Sequence, residues 1–225
     1  MYYYIFLTLC YVLLFIVSEF LLGNIQGKYY FNHGCANAII TYLTFNEVYL
    51  TYTNLLSFTS YPINYHAVCI TFALHFYHII MYLNKLRFDD WLHHILMVVL
   101  ALPLGIVGNS GFLLGHSLFF LTGLPGCIDY LLLFLTRNNY IEKMTEKKIN
   151  NYINLWLRCP GCIAHALLSI TAFLSTPEYV TLNLIDYISC FFTAVCVYWN
   201  GIYFMNQVVI NYNNNLIKYK EIKKN

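Results

Sequence analysis

The sequence predicts an all-α, polytopic integral membrane protein with about seven transmembrane helices, and three observations carry that reading. Sixty percent of its 225 residues are hydrophobic and only ten percent are charged, too few to solvate a water-soluble globule of this size. Apolar runs recur at the roughly 17 to 25 residues that a hydrocarbon core of about 30 Å demands of a helix. The cationic side chains fall in alternate connections between those runs, as the positive-inside rule requires. The net charge of +2 matters less than this arrangement, and no nucleic-acid partner is expected.

The first run, residues 2 to 22, lacks the basic flank and the small-residue cleavage site of a signal peptide, so it is expected to remain as a span. Six more spans are expected at 34 to 57, 63 to 84, 91 to 108, 112 to 136, 159 to 177 and 181 to 208. Lys28, Lys85, Arg87, Arg137, Lys143, Lys147, Lys148 and the C-terminal lysines occupy alternate connections, and Arg158 at the mouth of the sixth span joins them. The segments around 58 to 62, 109 to 111 and 178 to 180 hold no Lys or Arg. This parity puts the N-terminus in the lumen or exterior and the C-terminus in the cytosol. Between the fifth and sixth spans, residues 137 to 158 carry Glu142, Lys143, Glu146 and Lys147 on one side and Ile149, Tyr152, Ile153 and Trp156 at helical spacing. Two readings stay open there: an interfacial amphipathic helix, or a polar connector whose end begins the sixth span. The Asn- and Lys-rich tail is expected to be disordered. The chain thus divides into an N-terminal span with a cytosolic loop over 1–33, a transmembrane domain over 34–210 and a basic cytosolic tail over 211–225.

Most of the eight cysteines lie in apolar spans, which argues against disulfides. Cys159-Pro160-Gly161-Cys162 has redox spacing, with Pro160 suited to a first helical position. Neither a thioredoxin-like βαβ unit nor the second cysteine pair of a zinc site accompanies it.

The polar residues inside the spans are more informative. His75 and His78, at i and i+3, lie about 13 and 9 Å from the cytosolic end of the third span. His93 and His94 stand in the first turn or so of the fourth, and Asp129 lies about 10 Å from the cytosolic end of the fifth. Asp89 and Asp90 each precede one of these imidazoles by four residues, so each acid is placed to orient the ring one turn on; both also suit a helix N-terminus. Intramembrane ionisable groups usually face a cavity or pathway. His66, His116 and His165 show no ionisable neighbour in sequence and are expected to be structural, whereas Glu47 and Asp186 are candidates for the cavity wall.

The stretch from His78 through Asp89, Asp90, His93 and His94, followed by a long apolar span, resembles the TLC-domain family of membrane proteins, which includes ceramide synthases. The resemblance covers about residues 34 to 210, and its specific part is the acidic segment with the adjacent His pair. It implies six helices forming a barrel around a lipid cavity, residence in the endoplasmic reticulum, and acyl transfer from acyl-CoA to a lipid amine. Carried over, His93 and His94 are catalytic candidates supported by Asp89 and Asp90, and Asp129 is the one acid able to replace a further family carboxylate; by depth and charge His75, His78 and Arg158 are substrate-binding candidates. The chain departs from the ceramide synthases after the pair: it reads Thr122-Gly123-Leu124-Pro125-Gly126-Cys127-Ile128-Asp129, where those enzymes carry His-Asp and a further Asp. Other TLC-domain proteins bind, move or sense lipids without that chemistry.

Acyl transfer needs a base for the attacking amine, and a neutral imidazole serves. Arg158 or the basic segment 143 to 148 would attract a CoA phosphate. Acyl-CoA is then a co-substrate, and no tightly bound cofactor or metal is assigned. A membrane lipid or fatty acyl chain is the expected partner, with a second copy of the chain admissible. A metal-dependent lipid oxidase is a rival, since Asp90-x-x-His93-His94 and His75-x-x-His78 approach ligand spacing, but the repeated His boxes are missing. A transporter is another, although no half-to-half repeat supports it. A retinal protein fails for want of a Lys in the seventh span.

Overall fold

A computed structural model describes residues 2–177 and 180–223; Lys224 of the expected tail and part of the segment 178 to 180 lie outside the described residues. Among the described residues all regular structure is helical. Seven long helices alternate in direction: α1 (Tyr2–Leu21), α2 (Lys28–Thr53), α3 (Tyr65–Lys85), α4 (Phe88–Val107), α5 (Phe112–Arg137), α6 (Lys143–Leu174) and α7 (Leu184–Ile222). Six are long and apolar enough to cross a membrane, so the chain is an integral, multi-pass membrane protein. The remaining one, α2, has 26 residues and spans about 39 Å. Its lower apolarity comes from a stripe of Asn32, His33, Asn37, Thr44, Glu47 and Thr51 that is buried in the bundle, while Tyr42, Phe45 and Tyr49 face outward.

Lys28, Lys85, Arg87, Arg137 and Lys143 stand at the ends of helices on one side of the bundle, here called the basic end. Arg137 lies 5.8 Å from the Tyr30 ring, and the Asn138 side chain donates to the Gln26 carbonyl, tying the α1–α2 turn to the end of α5. At the opposite end the ring of Phe58 packs on Phe173 at 4.7 Å, and that of Tyr61 on Phe112 at 5.7 Å.

Three helices contain a π segment: His94–Ala101 in α4, Phe119–Gly123 in α5 and Asn154–Arg158 in α6. Each ends two residues before a proline, Pro103, Pro125 and Pro160 respectively. A proline in a continuous helix has no N–H to give, and its ring collides with the carbonyl four residues back. Those carbonyls belong to Val99, Leu121 and Trp156, all inside the π segments, where the wider turn makes room.

One open reading is decided here and one expectation needs correction. Helix α6 runs unbroken from Lys143 to Leu174, so the polar stretch begins the sixth span and is not a separate surface helix. Its polar residues turn inward: Glu146, Asn150 and Asn154 are buried, while Trp156 is 77% exposed. They bond one another at one-turn spacing, Asn154 Nδ2 donating to Asn150 Oδ1 at 2.6 Å and Asn150 Nδ2 to Glu146 Oε1 at 3.4 Å, and the adjacent Lys147 pairs with Glu146 at 3.1 Å. The tail expected to be disordered is also helical, since α7 continues through Ile222. At 39 residues it is about 58 Å long, well beyond a hydrocarbon core of about 30 Å.

Helix α1 is held against α3 by polar as well as apolar contacts. The hydroxyls of Tyr77 and Tyr82 both donate to the Glu19 carboxylate, the latter at 2.7 Å. Asn32 Nδ2 in turn donates to the Tyr77 hydroxyl at 3.1 Å. Tyr77→Phe therefore strands a buried donor and a carboxylate together, and is expected to cost about 2 kcal/mol. The unfolding midpoint in detergent checks this; an unchanged midpoint removes the network from the account of how α1 is held.

Candidate functional site

A cavity of about 600 Å³ runs through the bundle, walled by residues of α2 to α7, with none from α1. Lys85, Arg87, Tyr30 and Asp90 line it at the basic end. Five imidazoles follow, His33, His75, His78, His93 and His94. Beyond them the wall turns apolar with Val98, Ala101, Leu102, Leu114 and Leu118, and it reaches Ser110 and Phe173 near the other end. Such a section, densely polar at one end and mostly apolar along the rest with Ser117, His165 and Ser169 as polar points, matches an amphipathic chain.

Of the residues singled out in the sequence, His75, His78, His93, His94, Asp90, Asp129 and Arg158 all line this cavity, and Asp89 does not. His75 Nδ1 lies 2.7 Å from the Thr71 carbonyl, which only accepts, so that nitrogen carries the proton and Nε2 presents a lone pair. His93 Nε2 lies 3.2 Å from it, and the Asn200 side-chain amide lies 3.3 Å from His93 Nδ1. Both ring nitrogens of His94 are buried and have no hydrogen-bond partner. Its ring stands 5.2 Å from that of His75 and 5.1 Å from that of His78.

The expected pairing of Asp89 with His93 and Asp90 with His94 does not occur. Asp89 accepts a hydrogen bond from the Tyr203 hydroxyl of α7 at 2.7 Å. Asp90 accepts from the backbone N–H of Arg87 at 2.9 Å and pairs with the Arg87 guanidinium at 3.5 Å. The second is the helix-capping role that both acids also suited: at the start of α4 the unpaired backbone N–H groups outcompete an imidazole one turn on. Asp129 Oδ1 and Arg158 Nε are buried without partners, leaving both groups free to serve what enters the cavity.

His33 completes a second cluster with Tyr29, His78 and Tyr130, its ring 4.7 Å from that of Tyr130 and its Nδ1–H donating to the Tyr29 carbonyl. The sequence puts His33 in the connection before the second span, outside the ionisable set of the spans. The spacing of His33, Asn37, Thr44 and Thr51 along one helical face would have found it. Asn200 gave no such signal.

Of the remaining polar groups, His165 and Ser169 also line the cavity, further along the bore. His116 and His165, each without an ionisable neighbour in sequence, are brought together with their Nδ1 atoms 3.3 Å apart, and Ser169 bonds the second ring. Glu47 packs against Gly115, where an added Cβ would fall 1.3 Å from its carboxylate, and Asp186 caps α7 through Asn183. Neither acid is on the cavity wall. Cys159 and Cys162 are buried free thiols inside the continuous α6, so Pro160 does not open a helix and no helix N-terminus activates them. One nitrogen from each of His75, His93 and His94 lies within 4.8 Å of the other two, a set able to hold a metal ion.

No protein-family model, curated protein or solved structure matches the chain.

Proposed function

We propose that this protein takes an acyl chain into its cavity and transfers the acyl group from coenzyme A to a lipid amine at the imidazole cluster. The observation that carries this reading is the cavity itself, in which a five-imidazole belt separates a cationic mouth from an apolar bore. A wall built from α2 to α7, with the His93–His94 pair at its polar end, agrees with what the resemblance to TLC-domain proteins implies.

The fatty chain lies along Val98, Ala101, Leu114 and Leu118, and the thioester carbonyl sits beside His94. The amine nitrogen attacks that carbonyl carbon while His94, whose nitrogens have no competing partner, takes the amine proton. The carbon–sulfur bond then breaks, and the proton passes to the departing sulfur to give the CoA thiol. His75 and Asn200 hold His93 as the neighbouring wall, and Lys85, Arg87 and Arg158 bind CoA phosphates. The positive-inside rule puts this mouth in the cytosol, where acyl-CoA is made, with the endoplasmic reticulum as the matching membrane.

The test is purified protein with labelled acyl-CoA and a sphingoid or other long-chain amine. His94→Ala is expected to lower transfer by about 10²–10⁴-fold while acyl-chain retention, read by mass spectrometry, stays the same. Transfer that survives the substitution removes His94 as the base. A second reading, lipid binding or movement without chemistry, draws on the reach of the wall from Lys85 to Ser110. Lipid exchange between vesicles with no acyl transfer by the wild-type protein decides for it.

A further inference from the structure

We propose that His75, His93 and His94 form a mononuclear binding site for a divalent transition-metal ion of the zinc class. This goes beyond the acyl-transfer reading and does not depend on it. The Nε2 atoms of His75 and His93 are 3.2 Å apart. Two imidazole nitrogens at the usual zinc bond length of about 2.0–2.1 Å in a tetrahedral site stand about 3.3 Å apart, so the pair already has the span of one tetrahedral edge. His94 is the third ligand, with a nitrogen within 4.8 Å of the other two. Its ring has no hydrogen bond on either nitrogen, so swinging it inward breaks nothing.

Proton placement supports the same assignment. Metal-binding histidines ordinarily donate their other N–H to a carbonyl or carboxylate, which fixes the ring and leaves a lone pair for the ion. His75 does this, its Nδ1–H going to the Thr71 carbonyl. At His93 the neighbour is the amide of Asn200, whose Oδ1 is buried without a partner. Turning that amide by half a turn gives Oδ1 the His93 Nδ1–H and satisfies the orphaned oxygen. The Nε2 of His93 then presents a lone pair directly to the lone pair of His75. Two lone pairs at that separation repel each other, and a cation between them converts the repulsion into two bonds.

The donor set selects the metal. Three imidazoles without a carboxylate suit zinc, whereas the usual non-haem iron site takes two imidazoles and a carboxylate. Asp89 and Asp90 are committed to Tyr203 and Arg87. All three side chains face the cavity, which leaves the fourth position open to whatever lies in it. Occupancy draws off the nitrogen that His94 needs as a base, so the metal-bound and acyl-transferring states exclude each other.

The full chain in detergent, stripped with a chelator, is titrated with Co²⁺ and followed by visible absorption. One equivalent with the intense d–d bands of a tetrahedral ion is expected, displaced by one equivalent of Zn²⁺. His75→Gln and His93→Gln should abolish the bands, Asn200→Leu should weaken binding about 10- to 100-fold, and His66→Ala, an exposed histidine on α3, should leave binding unchanged. Wild-type protein that binds no Co²⁺, or shows only weak octahedral bands, overturns the site, and this result does not rely on any variant folding. Bands that persist in folded His93→Gln protein overturn it too. The readout involves no turnover: protein that binds Co²⁺ as described but lacks acyl transfer when metal-free keeps the metal site and loses only the transferase reading. Protein that transfers acyl groups and binds no Co²⁺ does the reverse. Where both hold, one equivalent of Zn²⁺ should lower transfer at least about tenfold, a value set by the loss of one general base.

Discussion

Gly111→Ala is expected to destabilise the protein by about 3–5 kcal/mol. Gly111 has φ 51° and ψ −134°, a conformation that is open to glycine and strained for any L-residue. An added Cβ would also fall 1.8 Å from the Phe58 carbonyl oxygen and 2.7 Å from its carbon, and backbone atoms cannot swing aside as a flexible side chain does. Strain and collision can be separated with a second glycine. Gly23 has φ 54° with nothing within 4 Å of its added Cβ, so Gly23→Ala pays the conformational cost alone, about 1–2 kcal/mol. Thermal unfolding in detergent should show a drop of about 10 °C or more for Gly111→Ala and a few degrees for Gly23→Ala. Equal shifts would mean that the contact of the Gly111 turn with the 3-10 segment Leu55–Ser60 contributes nothing.

Ala101→Phe is expected to empty the cavity of acyl chain while the bundle stays folded. Ala101 lies on the cavity wall inside the π segment of α4, 4% exposed, among Met97, Val98 and Phe119. A phenyl group cannot enter that packed cluster without costing about 1–3 kcal/mol, so it turns into the open bore, where the chain would lie. Mass spectrometry of co-purified lipid should find retention reduced at least about tenfold, equivalent to about 1.4 kcal/mol of lost binding. Val99, two positions away and 62% exposed on the outer face, provides the control: Val99→Phe should retain wild-type lipid. Undiminished lipid in Ala101→Phe would mean that the cavity is not where the chain binds.

The spans were legible because membrane solvation acts on each run independently. A stretch of apolar residues has to be helical and long enough to cross, whatever its neighbours do. Seven runs read in that way correspond to seven helices, most with ends displaced by a few residues. The reading failed where polar residues were taken at face value. Glu146 looked like part of a solvated face, and Asn32 and His33 looked like a loop, yet all three are buried. Hydropathy records what a side chain would cost in lipid and is silent on a partner that removes the cost. The π segments were legible in hindsight, because each is the helix's answer to a proline four residues beyond a carbonyl it would strike.

The sequence by itself determined that this is a multi-span helical membrane protein, and it identified most of the ionisable residues that line its cavity. Local chemistry sufficed, since periodicity and the cost of intramembrane charge operate within single segments. Only the tertiary structure decided which of those residues meet. His93 finds His75 from 18 residues away and Asn200 from 107, Asp89 turns to Tyr203, and His116 meets His165. Each of these contacts is made between helices, and the rotation of one helix about its axis against another is set by the packing of whole faces. Spacing within one helix named Asp89 and Asp90 as partners for the imidazoles, but helix ends and neighbouring helices offered those carboxylates better donors.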